Sequence, residues 1–393
     1  MNYVRGAIEA PVPDEFDVRN RWRKSMKVSS STSKMLAPIF LASTLGVAYW
    51  LNAAGYRAST LGTPRDSVRQ AVLYVANSRG NDIAVVDLGT LKIRDRIRLG
   101  DRVHGLATDA SGRSLFATVE SDNTLRIIDT LTDGLLATIR LSGRPNECAA
   151  TLDGKFVVVP IRDADKVDIV DMNQRKIVKT LPLTVPHNAV VYPGSNRFVF
   201  VSSMGERLIN LIDLTKLEYW QRLEVGGVPR PYVLGDEGRT MYVAESDLHG
   251  FVVVNVAENK IIDRVQIPSI NKTPHPRPFE PIDTLTHGLA LSPDGKELWV
   301  TSLLDNAMYV YDVKNKKILQ RLATGDGPNW VSFSPDGKFV CVSNTDSHDI
   351  SVFDAREHKE LARLETGGAP KRVLVAEIPA FPNAEVTGAM SRR

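Results

Sequence analysis

The stretch "THGLALSPDGKELWVTS", residues 286–302, returns in blurred form along most of the chain, and this repeat constrains the fold more than any other feature. Apolar tetrads "LYVA", "LFAT", "VVVP", "VFVS", "MYVA", "LWVT" and "VCVS" begin at residues 73, 115, 157, 199, 241, 298 and 340, so five of the six steps are 42 residues. The residue ending the following strand keeps the same step: Asp87, Asp129, Asp171, Asp213, Asn255, Asp312 and Asp354. A period of this length marks one supersecondary unit that buries its faces by packing on copies of itself.

Each unit holds four short segments with β patterning, in the first case "LYVAN", "DIAVVD", "RDRIRL" and "HGLATD", separated by Gly, Asp, Asn and Ser. Four strands per period of about 40 residues predict a propeller blade, and seven units predict an all-β, seven-bladed β-propeller. The propeller is placed at residues 73–381, with a C-terminal tail at 382–393. The chain enters on the second strand of a blade at Leu73 and ends on an unpartnered first strand, "KRVLVAE", residues 371–377. Pairing the two completes the first blade and removes the open sheet edge, so truncation near residue 370 should destabilise the whole ring. The Asp87 series is turn chemistry, capping strand ends.

Ahead of the repeats, residues 36–54, "LAPIFLASTLGVAYWLNAA", carry no charge over about the length a bilayer core requires, which predicts one transmembrane helix. Arg19, Arg21, Arg23, Lys24, Lys27 and Lys34 precede it, against Arg57, Arg65 and Arg69 after it, so residues 1–35 are read as a cytoplasmic tail. Residues 55–72 are the linker, and the propeller is expected in the periplasm or outside the cell, with the anchor in the cytoplasmic membrane. A cleaved signal peptide is the alternative; the long charged region before the apolar run favours a retained anchor.

The tail holds seven Lys or Arg and four Asp or Glu, a balance equal to the whole-chain net charge of +3, so the body is formally neutral and no nucleic-acid partner is expected. Cys148 and Cys341 are the only cysteines and stand in apolar runs, which reads as two core thiols and excludes a disulfide framework or a thiolate zinc site.

The units "LYVANSRGNDIAVVD" and "HGLALSPDGKELWVTS" resemble YVTN-type β-propeller repeats over residues 73–376. The resemblance implies the propeller fold and export, and it implies no single activity. A lactonase-like propeller would be expected to carry a carboxylate-rich metal ring and a quinone-dependent one a recurrent Trp motif; neither pattern is present.

One residue per unit starts the innermost strand: His104, Asn146, His187, Arg230, His287, Asn329 and Lys371. These should ring one mouth of the central channel and are the candidate ligand positions. His249, His275 and His348 fall on the same face, leaving His358 opposite. His104, His187 and His287 could converge on a metal, but the positive charge of Arg230 and Lys371 opposes a cation, so no metal or other cofactor is expected and an anionic or polar small ligand is the better occupant. Glu147 and Asp283 are the carboxylates nearest the mouth, without the repeated pairing that acid/base chemistry would suggest. The proline-rich insertion at 268–286 breaks the period on the same face, and Pro274, His275, Pro276, Arg277, Pro278 and Phe279 are candidate partner contacts, as are Arg21, Trp22 and Arg23 of the tail.

The expectation is a membrane-anchored accessory or interaction subunit of a membrane protein complex, with a photosynthetic or respiratory electron-transfer complex as a fitting host. The competing expectation is a small-ligand or metal-binding protein, or an enzyme, acting at the histidine-bearing mouth.

Overall fold

The chain's computed structural model describes residues 69–271 and 284–380. They form seven four-stranded antiparallel sheets, and the first strands of consecutive sheets pack against one another around the centre of a seven-bladed propeller. Blade one joins the two ends of the repeat region: Pro370–Pro379 pairs with Arg69–Asn77, followed outward by Asp82–Asp87 and Lys92–Arg98. The register runs from Arg69 opposite Pro379 to Asn77 opposite Pro370. The second strand therefore starts at Arg69, four residues before the sequence pattern alone suggests, because the closing strand reaches Pro379 and supplies partners for residues 69–72.

Near-continuous apolar runs are what strands buried on both faces require. In blade one, Leu73 and Val75 face Cys341 and Ile350 of blade seven, while Tyr74 and Ala76 face Val103 and Ala117 of blade two. Between blades six and seven the fully buried Trp299 packs with Met308, Val331 and Phe353. Each such side chain is worth about 1.5–3 kcal/mol relative to exposure. The outermost strands have one wet face, and their burial alternates, as in Lys260–Gln266 and Lys359–Glu365.

Turn chemistry fixes the strand ends. Asp87 Oδ1 accepts the N–H groups of Gly89 and Thr90 at 2.7 and 3.0 Å, and Asp354 does the same for Arg356 and Glu357. In the "SPDG" turn Ser292 donates to Asp294 at 2.7 Å and Gly295 takes φ +71°, a left-handed angle that suits glycine. Both cysteines are free and buried, and burial pushes their thiols up.

Among the described residues no helix is long and apolar enough to cross a membrane. The expected span at 36–54, the tail and most of the insertion lie outside the described residues.

Candidate functional site: the channel mouth

Every innermost strand carries one extra residue at its mouth end. Val103 pairs with Val119 and Leu106 with Ala117, three steps against two, and the same count holds at Pro186/Ala189, Pro229/Tyr232, Thr286/Leu289 and Pro328/Val331. In blade one the skipped residue is Lys371, and in blade three the irregularity spans Pro145 to Ala149, which shortens the strand to Ala149–Ala150. A bulge of this kind re-aims the side chains of its extra residues. All seven predicted mouth residues stand in it.

Side-chain hydroxyls fill the gaps left in the ladder. Gly105 N–H donates to Thr118 at 2.7 Å, Asn188 N–H to Ser202 at 2.9 Å, Gly288 N–H to Thr301 at 2.7 Å and Trp330 N–H to Ser343 at 3.0 Å. Thr118 and Ser343 then donate across the blade boundary to the Asn146 and Lys371 carbonyls, at 2.6 and 2.8 Å. Glycine after the mouth histidine lets neighbouring blades approach: a Cβ at Gly105 would lie 2.7 Å from Glu147 Cα, and one at Gly288 would lie 2.8 Å from the Asn329 carbonyl oxygen.

The mouth histidines are buried, each 6% exposed. His287 donates through Nδ1 to the Asn329 carbonyl at 2.9 Å, His104 bonds Glu120, and His187 bonds the side chain of Asn188. Burial lowers the pKa of all three rings, with Lys371 beside His104 and Arg230 beside His187 and His287 lowering them further. Buried rings with Nδ1 committed to hydrogen bonds are architectural posts. Arg230 is likewise held, its Nε 2.7 Å from Ser246 Oγ. His249 bridges the Ile267 carbonyl and Ser302, and His348 Nδ1 accepts from Ala369 N–H.

At the next position along four of these bulges stand Arg372, Glu147, Asn188 and Trp330, which meet across blades. Arg372 of blade one reaches across Gly105 of blade two to Glu147 of blade three at 2.6 Å, and its guanidinium lies 3.2 Å from the ring centre of Trp330 in blade seven. Asn188 of blade four also donates to Glu147. Burial raises the Glu147 carboxyl and lowers Arg372, and their contact opposes both shifts. Glu147 is thus a structural counter-ion at the channel centre.

Beside these residues lies a cleft of about 150 Å³ lined by Arg102, Glu120, Arg144, Asn146, Arg162 and Lys371. Burial would raise Glu120, but His104, Lys371 and Arg144 together carry it down to about 2, so it is ionised. The sequence reading included Asn146 and Lys371 and missed the three arginines. A signal existed: Arg102 and Arg144 stand one repeat apart, as do Glu120 and Arg162.

Of the partner-facing candidates, Pro274–Phe279 and Arg21–Arg23 lie outside the described residues, as does Asp283. The start of the insertion is tied down, because Asp305 accepts from Ser269 Oγ and Asn271 N–H at 2.7 and 3.0 Å. Among the described residues no three His, Cys, Asp or Glu are grouped to hold a metal ion.

Comparison with known proteins places this architecture. A family model described as YNCE-like beta-propeller matches residues 70–279, more than half of the chain, and one described as Lactonase, 7-bladed beta-propeller, matches residues 222–375. No curated protein matches the chain. Among solved structures, the fold is similar to a protein from Lactobacillus plantarum at 15% identity and TM-score 0.67, over 79% of this chain and 100% of that one. It is similar to Kuenenia stuttgartiensis hydrazine synthase at 16% identity and TM-score 0.59, over 71% and 95%. It is also similar to the dihydro-heme d1 dehydrogenase NirN at 15% and 0.55, over 77% and 74%. At these identities the likeness concerns the fold alone.

Proposed function

This chain belongs to the YNCE-like β-propeller family, and from that premise we propose that it is a membrane-anchored accessory subunit, a propeller that binds without chemistry of its own. In this reading residues 36–54 hold it in the cytoplasmic membrane, the YVTN-type repeats form an exported body, and the mouth face meets the partner. The observation that supports it is how the mouth spends its polar groups. The imidazoles are buried and hydrogen-bonded, and Glu147 is paired with Arg372, both of them buried. General acid/base work needs a titratable group near the operating pH within reach of a substrate, whereas these groups brace the blades. The cleft at the mouth carries four cations against one carboxylate, a balance that suits recognition.

The test is purification of the tagged full-length chain from native membranes in mild detergent, with mass spectrometry of what accompanies it. Membrane-protein companions in fixed stoichiometry support the reading and name the complex; recovery of the chain alone overturns it.

A second reading has its own observation. The cleft has the size of one small ion and is lined by cations from three blades, which favours a small anionic ligand at the mouth.

A further inference from the structure

The cleft gathers three arginines and a lysine around a single carboxylate. Arg102 precedes the innermost strand of blade two, Arg144 precedes that of blade three, and Arg162 opens the short turn Arg162–Ala164. Their backbones are locked together, with Arg162 N–H donating to the Arg144 carbonyl at 3.1 Å and Asn146 N–H to that of Pro160 at 2.9 Å. Among the described residues neither Arg144 nor Arg162 makes an ion pair, and Arg102 has only Asp101 at 4.0 Å, both well exposed. Glu120, the one carboxylate, is already bonded to His104. Guanidinium forks beside an ammonium, held at a concave site, attract and orient a multivalent oxyanion.

A second feature narrows the class. Glu120 Oε1 is bonded to His104, and its second carboxylate oxygen makes no hydrogen bond among the described residues. A carboxylate acceptor in the same cleft favours an occupant that brings a proton as well as negative charge. Sulfate at neutral pH offers acceptors alone, whereas hydrogen phosphate offers both a P–OH donor and charged oxygens.

We propose that the Arg102–Arg144–Arg162 cleft is a phosphate-binding site, in which the arginines hold the charged oxygens and the Glu120 wall accepts the remaining P–OH. This inference rests on the small-ligand reading of the mouth and goes beyond the subunit reading. Selectivity comes from the acceptor wall and affinity from the arginines, so the two are separable.

The experiment is calorimetric titration of the detergent-purified full-length chain with inorganic phosphate, then with sulfate, at matched ionic strength. Saturable binding is expected, with phosphate roughly tenfold or more tighter than sulfate, the effect of one acceptor left without a donor. The R144A/R162A double variant, altered only at side chains on the cleft rim, should lose roughly a hundredfold or more in phosphate affinity while its far-UV spectrum and Tm stay near wild type. Absence of saturable phosphate binding, equal affinity for sulfate, or undiminished binding by the double variant overturns the proposal. A chain that copurifies with membrane companions but fails to bind phosphate overturns this site and leaves the subunit reading standing; the reverse result overturns the subunit reading alone.

Discussion

Removing Arg372 should be among the most damaging single changes in the ring, and the cost should be asymmetric with respect to its partner. Arg372 is 3% exposed and Glu147 7% exposed, and their contact of 2.6 Å lies at the channel centre. In R372M the Glu147 carboxylate keeps Asn188 but loses its counter-ion, which costs about 3–5 kcal/mol. Loss of the guanidinium over Trp330 adds about 1 kcal/mol. In E147Q the guanidinium retains Trp330 and a neutral acceptor, so a smaller loss of about 2–3 kcal/mol is expected. The E147Q/R372M pair carries no stranded charge, and its cost should fall well below the sum, to about 1–2 kcal/mol. Urea denaturation followed by tryptophan fluorescence measures all three. The pH dependence supplies an internal control. Burial raises Glu147 and Arg372 lowers it, so losing Arg372 raises the folded-state value further above the ordinary glutamate value of about 4.3. A group raised in the fold contributes its full stability below the unfolded value and loses it as pH rises, so the R372M deficit should shrink on acidification from neutral pH. An R372M cost below about 1.5 kcal/mol, or one equal to that of E147Q, would mean that water reaches the pair.

Two further outcomes follow from the mouth. Alanine at Gly105 or Gly288 drives a Cβ into the backbone of the next blade and should cost about 1–3 kcal/mol, read as a lowered Tm, whereas Gly295→Ala meets nothing within 4 Å and pays only for its φ of +71°. His104, His187 and His287 are depressed by burial, so the stability they contribute is present above the unfolded value of about 6.5 and is lost as pH falls below it. The Tm should therefore drop between pH 7.5 and 5.5, and H187N/H287N, which copies the Asn used at the same position in blades three and seven, should flatten that slope; an unchanged slope would assign the acid sensitivity elsewhere.

The fold was legible because blade geometry is set by local patterning repeated at a constant step. Turn glycines, the Asp87 series and alternating strands all recur every 42 residues, and the single longer step falls in a loop. The closure of blade one was legible too, since a first strand without partners at residues 371–377 has one vacancy to fill. The bulges were not, because an extra residue present in every blade leaves the period unchanged. The cluster around Arg372 was hidden for a different reason. Arg372, Glu147 and Trp330 come from blades one, three and seven, and no local pattern indicates which side chains meet across blades. The mouth histidines are each 6% exposed and hydrogen-bonded, so alanine variants there report stability as well as binding.

The buried Arg372–Glu147 pair and the Arg372–Trp330 contact commit these innermost-strand side chains to packing. The side chains free to meet another molecule are those of the connections, which escape the packing demands imposed on the innermost strands. Arg102, Arg144 and Arg162 lie in such connections around blades two and three, whereas the insertion leaves the ring between blades five and six, with Ser269 and Asn271 fastened to Asp305. The formal neutrality of the body concealed this, because net charge is a sum and the field at a concave rim depends on where charges of one sign collect. A common bulge at the start of every innermost strand supports both properties: its first residue braces the blades or meets the cleft, and its second packs the neighbouring blade or joins the cluster around Arg372. Substitutions at the second position should therefore register in stability, and substitutions in the rim connections in binding.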